Sequence, residues 1–277
     1  MNTIGQTPAT TAAGTPRDGL YRRLRRELAT TRLPTGPPAP SVVAEADLED
    51  LPDAARRYLE FMGVLGRPRH WSFRARFEGR FQLRGHWMRA VAWQYNTSPT
   101  IARVFVMRLR VAHVLPMIGV DTYLGGTGQM RGKLLGIVPV AHGEGDEFDA
   151  GELVTWLNDA VLLAPSFLLN DAVSWAEVDA DSFDLTLTDA GRTVSARVYV
   201  DERGAPKDFS TTDRYADLPG GLTRAQWTTP IAGWTNADEQ PMPSSAQAVW
   251  HLPNGPMPYA KGQFVPKSLA YDLPQGG

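Results

Sequence analysis

Hydrophobic and polar positions follow two periods along this chain. Up to residue 62 the apolar positions recur at helical spacing. Leu20, Leu24 and Leu28 are four apart in RDGLYRRLRRELATTRL (17–33), and Ala55, Tyr58, Leu59 and Met62 form a stripe after Leu51-Pro52. Proline is tolerated in a first helical turn and Gly63 suits a helix end, so Ser41–Met62 is predicted to contain a second helix. From Trp71 the period becomes two. In WSFRARFEGRFQL, Trp71, Phe73, Ala75, Phe77, Phe81 and Leu83 alternate with Ser72, Arg74, Arg76, Glu78, Arg80 and Gln82. Arg84-Gly85 marks a turn to a partner strand, His86–Tyr95. Thr100–Ala112 is apolar on both faces except for Arg103, Arg108 and Arg110, which predicts a strand covered twice. Val120–Met130 and Gly132–Val140 follow, and the alternation resumes at Ser174–Val178, Ser182–Thr188, Thr193–Val200, Lys207–Tyr215, Thr223–Ile231, Ala246–Leu252 and Gln263–Leu273. Roughly a dozen sequential strands predict a mainly β (α+β) fold. Its expected form is a large curved antiparallel sheet, half-barrel-like, with a buried helical insert and N-terminal helices.

The insert is DAGELVTWLNDAVLLAPSFLLN, Asp149–Asn170. Asp149 and Glu152 have capping-box spacing, and Pro165 breaks the helix after Ala164. Leu153, Val154, Trp156, Leu157, Ala160, Val161, Leu163 and Ala164 cover more of the circumference than one stripe, so the helix is expected to be enclosed. Its narrow polar stripe, Glu152, Thr155, Asn158 and Asp159, faces either water at a rim or the wall of a pocket. A curved sheet closed over such a helix predicts a concave space between them, where an apolar ligand would fit.

Composition narrows the function. The chain has 277 residues, 43% of them hydrophobic, with a net charge of −2, so no global field favours nucleic acid. Residues 1–41 are the exception, with six Arg against Asp18 and Glu27. This predicts a separate arm over 1–40, dispensable for folding. It comprises a Thr/Ala/Gly-rich disordered start (1–16), a basic amphipathic helix able to make weak membrane-surface contact (17–33), and the stiff linker PTGPPAP (34–40). Residues 41–277 are then one β-rich ligand-binding domain. No cysteine is present, which excludes disulfides, thiolate chemistry and Cys-ligated metals. The N-terminus lacks the features of a secretory signal and no apolar run reaches membrane-spanning length, so a cytoplasmic protein is expected.

Chemistry-bearing motifs are absent: there is no GxSxG, Walker loop, HExxH or dinucleotide fingerprint, and Gly125–Gly128 reads as a β-turn. The five histidines are scattered, so neither metal nor cofactor is expected. Polar residues on apolar strand faces remain. In KDFSTTDRYA, strand alternation would put Thr211 and Asp213 beside Phe209 and Tyr215, where a carboxylate suits either a general acid or base or an ion pair. Gln94 faces opposite to Trp93 and Tyr95, beside Ala90 and Ala92, which leaves room for a ligand or for a packed neighbouring side chain. Trp250 stands beside His251, which can titrate near neutrality or be a satisfied structural residue.

LPDAARRYLEFMGVLGRPR (51–69), YLGGTGQMRGKLLGIVPV (123–140), LNDAVLLAPSFLL (157–169), TTDRY (211–215) and WHLPNGPMPYAKG (250–262) together resemble a bacterial domain-of-unknown-function family over about residues 50–273. The resemblance implies candidate site positions at Gln94, Asp121, Asn158, Asp159, Asp213, Arg214 and Tyr259. Trp156, Tyr215 and Trp250 join them as aromatic lining, with Asp159 and Asp213 as candidate catalytic carboxylates. Three functions are open: a cofactor-free cyclase or isomerase of polyketide- or terpenoid-like molecules, a non-catalytic carrier of lipid or another hydrophobic ligand, and an interaction module with a packed core.

Overall fold

The computed structural model describes residues 18–36, 39–83, 85–111, 114–135, 138–237 and 240–275. The disorder expected for residues 1–16, and Pro37-Pro38 of the linker, lie outside them. Two helices, α1 (Gly19–Leu28) and α2 (Asp53–Phe61), precede a six-strand meander. Its strands are β1 (Ser72–Leu83), β2 (His86–Thr97), β3 (Ala102–Val111), β4 (Leu115–Leu124), β5 (Thr127–Leu134) and β6 (Val138–Gly143). The long helix α3 (Asp146–Leu163) follows, and then β7 (Val173–Asp179), β8 (Ser182–Asp189), β9 (Arg192–Val200) and β10 (Pro206–Thr211). A small hairpin, β11 (Tyr215–Leu218) and β12 (Gly221–Arg224), precedes β13 (Gln226–Thr228), β14 (Ile231–Ala237), β15 (Gln240–Leu252), β16 (Gly255–Phe264) and β17 (Ala270–Tyr271).

All strands except β11 and β12 join one 15-stranded sheet in the order β6-β5-β4-β3-β2-β1-β16-β15-β13-β10-β9-β8-β7, with β14 on β15 and β17 on β1. Every pairing is antiparallel, and the end strands β6 and β7 do not meet. The sheet therefore stays open and curls around α3.

Local chemistry explains where the elements fall. α2 starts after Pro52 and stops at Gly63, whose φ of 65° is the left-handed geometry a glycine supplies at a helix end. The 120–130 stretch is two strands rather than one, because Gly125 and Gly126 (φ 60° and 82°) turn the chain between β4 and β5. α3 begins at Asp146, three residues before the capping-box position. Asp149 is instead drawn to the sheet, accepting from the Gly128 N–H at 2.7 Å and from Arg192 at 3.0 Å. The first half of β15 and the start of β16 escape the alternation pattern because Pro241, Pro243, Pro256 and Pro258 interrupt it, and β14 escapes it through register shifts on both sides of Gly233.

The two faces of the meander are covered differently. α1 lies on the convex face, where Leu20, Tyr21, Leu24 and Leu28 are buried against Val91, Trp93, Val104 and Val106. The leucines of this helix are thus occupied by the protein's own sheet and are not presented to a membrane. On the concave face α3 is almost wholly enclosed, with Leu153, Val154, Trp156, Leu157, Ala160 and Val161 fully buried. Its far end packs with α2 and the β7–β9 wing through Tyr58, Phe167, Phe183 and Leu185. Strand β3 is covered on both faces only at its start, where the sequence expectation of a doubly covered strand holds; further along, Phe105 and Met107 of its concave face are partly exposed.

Candidate functional site

The polar stripe of α3 divides: Thr155 bonds back to Gly151 O and Asn158 turns to Thr229, while the Glu152 and Asp159 side points neither to water nor to an empty pocket wall. It meets the concave face of β2–β4 in a buried ionic cluster. Arg103 donates from Nε to Asp159 Oδ2 at 2.8 Å and from Nη1 to Glu152 Oε2 at 2.9 Å, and Asn96 Nδ2 donates to the same Asp159 oxygen at 3.2 Å. Glu152 and Asp159 are seven residues apart, close to two helical turns, so both reach one guanidinium. Burial alone would lower the Arg103 pKa, but Asp159 and Glu152 outweigh it and hold the guanidinium firmly charged.

Asp121, opposite Phe105 and Met130 in the ladder, stands at the edge of this cluster, half-buried. Burial and the neighbouring Glu152 carboxyl push it up to about 7, against the pull of Arg103 and Arg214. The Glu152 carboxyl is also raised, by burial first, with Arg103 and Arg214 opposing. Two cations thus face three carboxyl groups, and the shared field favours keeping a proton on the Asp121–Glu152 pair.

Arg214 closes the cluster toward solvent. Its guanidinium lies 4.2 Å from the Trp227 ring centre and 5.7 Å from that of Trp250. It packs beside Gly151 of α3, where a Cβ would sit 4.0 Å from Arg214 Nε, an ordinary van der Waals contact. Tyr259 stacks on Trp250, accepts from Trp227 Nε1 at 3.0 Å and meets Phe81 edge-on.

α3 crosses the concave face only near the end where β2 finishes and β3 begins. Trp156 Nε1 donates to Thr97 O at 3.0 Å there, and Phe148 and Asp149 sit over Gly128. Toward the β1–β2 and β3–β4 turns the same face continues as Phe77, Phe81, Met88, Met107, Met117 and Leu134, all partly exposed. Gly119 and Gly132 lower the floor, with the methyl ends of Met107 and Met117 over them. Phe264, Met257 and Tyr259 rise on the adjoining strands. The result is an apolar trough rich in Phe and Met, bounded at one end by the ionic cluster. At that boundary Gln94 is buried on the concave face, and its Nε2 has no hydrogen-bond partner among the described residues. The convex side has a shallow depression of about 780 Å³ beside α1, lined by Arg22, Arg25, Arg26, Ala29 and Gln275. It is open and lined chiefly by arginine side chains.

The structure brings Gln94, Asp121, Asp159, Arg214, Trp250 and Tyr259 to this one region. Asn158 faces the other way and accepts from Thr229 Oγ1 at 2.7 Å, while Trp156 is fully buried and stacked on Phe167. Asp213 stands elsewhere. Strand β10 ends at Thr211, so the alternation that would align Asp213 and Tyr215 with Phe209 stops short. The Asp213 carboxylate accepts from Ser195 N–H at 2.8 Å and from Arg224 at 2.5 Å, fastening the β11–β12 hairpin, and Tyr215 opens that hairpin opposite Arg224. Arg103 is the central residue that candidate-picking from sequence passes over. Its signal was a cation at the apolar start of a strand whose other two arginines, Arg108 and Arg110, stand at the far end. Among the described residues no group of three or more His, Asp or Glu is placed to hold a metal.

The chain belongs to a family of unknown function, DUF6544, whose model matches residues 41–262. This agrees with the resemblance carried by the motifs between 51 and 262. No curated protein matches the chain in sequence. Among solved structures it is similar to a LolA superfamily protein of Nitrosomonas europaea, at 12% identity over 84% of this chain and 94% of that one, with a TM-score of 0.41. A DUF1329 family protein of Desulfovibrio piger is similar at 12% identity over 84% and 95%, also with a TM-score of 0.41. No helix among the described residues is long and apolar enough to cross a membrane.

Proposed function

We propose that this protein binds an amphiphilic small molecule, its apolar body in the trough and its polar head toward Gln94, Asp121 and Arg214, and carries it without altering it. One observation supports the reading above others. A Phe- and Met-lined stretch of the concave face stays partly exposed where α3 does not cover it, and polar groups meet it at one end only. Such asymmetry matches a ligand with one polar end, and methionines adapt to varied apolar shapes. Carriage is favoured over catalysis because both candidate catalytic carboxylates, Asp159 and Asp213, are engaged in ion pairs and backbone contacts.

The test is titration of native protein with a fluorescent long-chain fatty acid. Saturation near one equivalent is expected, with displacement by unlabelled fatty acid. Gly119→Phe should abolish binding while the thermal midpoint holds, because it fills the trough floor. Binding seen only after acid or heat, or undiminished in the Gly119→Phe protein, would overturn the reading.

A second reading, a cofactor-free isomerase or cyclase, draws on Asp121, whose pKa of about 7 suits a general acid or base beside an apolar site. It requires turnover of a bound substrate that disappears in Asp121→Asn while ligand binding persists.

A further inference from the structure

Four hairpin turns of the sheet lie at one end: β1–β2, β3–β4, β5–β6 and β15–β16. The segments forming them, 79–90, 108–118, 131–141 and 252–262, hold eight Arg and Lys and no Asp or Glu, in a chain whose net charge is −2. The tips of two of them, β3–β4 and β5–β6, carry exposed apolar side chains. Val114 is 75% exposed, Val138 53% and Leu135 51%, with Leu115 and Val140 beside them. These side chains are neighbours, since Leu135 N donates to Pro116 O and Val138 pairs with Leu134. Monomeric proteins rarely leave such a patch on the surface without a use for it.

A row of cations lies behind the tips on the convex face. Arg80 is paired in register with Lys261 on one side and Arg89 on the other, and Arg110 continues the row on β3. Like charges directly opposite one another in a sheet are destabilising, and no ion pair engages Arg80, Arg89, Arg110 or Lys133 among the described residues. The row is three residues from the β1–β2 turn, a distance of roughly 10 Å at strand rise. That spacing suits apolar tips sunk into a lipid interface with cations at the level of the head groups. Pairing with a second copy along the edge strand β6 is disfavoured, because Pro139 removes a donor from the middle of it.

We propose that this hairpin end docks the protein on an anionic lipid bilayer, the Val114, Leu135 and Val138 tips entering the interface and the Arg80–Arg89–Arg110 row binding its phosphates. Docking is independent of the ligand proposed for the trough, which opens toward the same end and would thereby face the bilayer.

The test is co-sedimentation of the full chain with vesicles of phosphatidylcholine alone and of phosphatidylcholine containing phosphatidylglycerol. Binding is expected only to the anionic vesicles and should weaken as salt shortens the screening length. Val114→Asp with Val138→Asp, and separately Arg89→Glu with Arg110→Glu, should each lower it about tenfold or more. Fatty-acid binding measured on the same variants should be unchanged, which separates failure of docking from failure of the trough. No vesicle binding, equal binding to neutral vesicles, or variants that sediment like the parent would overturn the proposal. So would a patch that instead holds two copies together, seen as dimers that the aspartate variants convert to monomers without change in vesicle recovery.

Discussion

Arg103 and Asp159 meet through a 2.8 Å Nε–Oδ2 contact with both side chains less than a tenth exposed, and this contact fastens the central helix to the sheet. The same guanidinium holds Glu152, one end of it serving each carboxylate. A fork of fixed geometry therefore sets both the height and the rotation of α3.

Removing that cation leaves two buried carboxylates without their partner. Arg103→Leu should destabilise the protein by roughly 3–5 kcal/mol. Urea unfolding measures this directly. A loss below about 1 kcal/mol, the ordinary size for a surface pair, would show that the cluster does not anchor the helix.

Asp121 has a pKa of about 7 in the folded protein against an ordinary 3.8. The folded state then holds its proton more tightly than the unfolded chain, so this group lowers stability as pH rises from about 4 to about 7, and the loss is complete above that window. Asp121→Asn cannot ionise. Its thermal midpoint should exceed that of the parent at about pH 8 and match it near pH 4. Parallel curves for the two proteins would refute the shift.

Leu20, Tyr21, Leu24 and Leu28 are buried on Trp93, Val104 and Val106. Deleting residues 1–33 should therefore cost on the order of 5 kcal/mol, contrary to the sequence expectation of a dispensable arm. Calorimetry of the truncated chain decides it: an unchanged midpoint would mean that α1 adds nothing to folding.

Gly128 lies beneath the first turn of α3, where an added Cβ would fall 2.3 Å from Phe148 O. Gly128→Ala should push the helix start off the sheet, at roughly 1–3 kcal/mol. Amide exchange should quicken across 146–152 and stay slow in β7–β9. Uniform exchange in both regions would place the strain elsewhere.

The sequence by itself determined the fold class, the buried helix and the meander, because alternation and helical periodicity are local and the buried faces are apolar. It also marked Asp159 and Gln94 as polar residues on otherwise apolar faces, and the family resemblance added Arg214. It gave Asp213 the wrong setting, because whether β10 continues past Thr211 depends on Ser195 and Arg224, contributed by other strands. It was silent on the partner of Asp159, since Arg103 lies 56 residues away along the chain. Tertiary structure alone decided that Glu152 and Asp159 of the polar stripe are closed by that arginine, that the helix covers one end of the concave face, and that the remaining Phe and Met side chains form a trough. A strand's pattern says which residues share a face. How far a helix reaches across that face is set by contacts between distant segments, here by Arg103 at one turn of α3 and Gly128 at another.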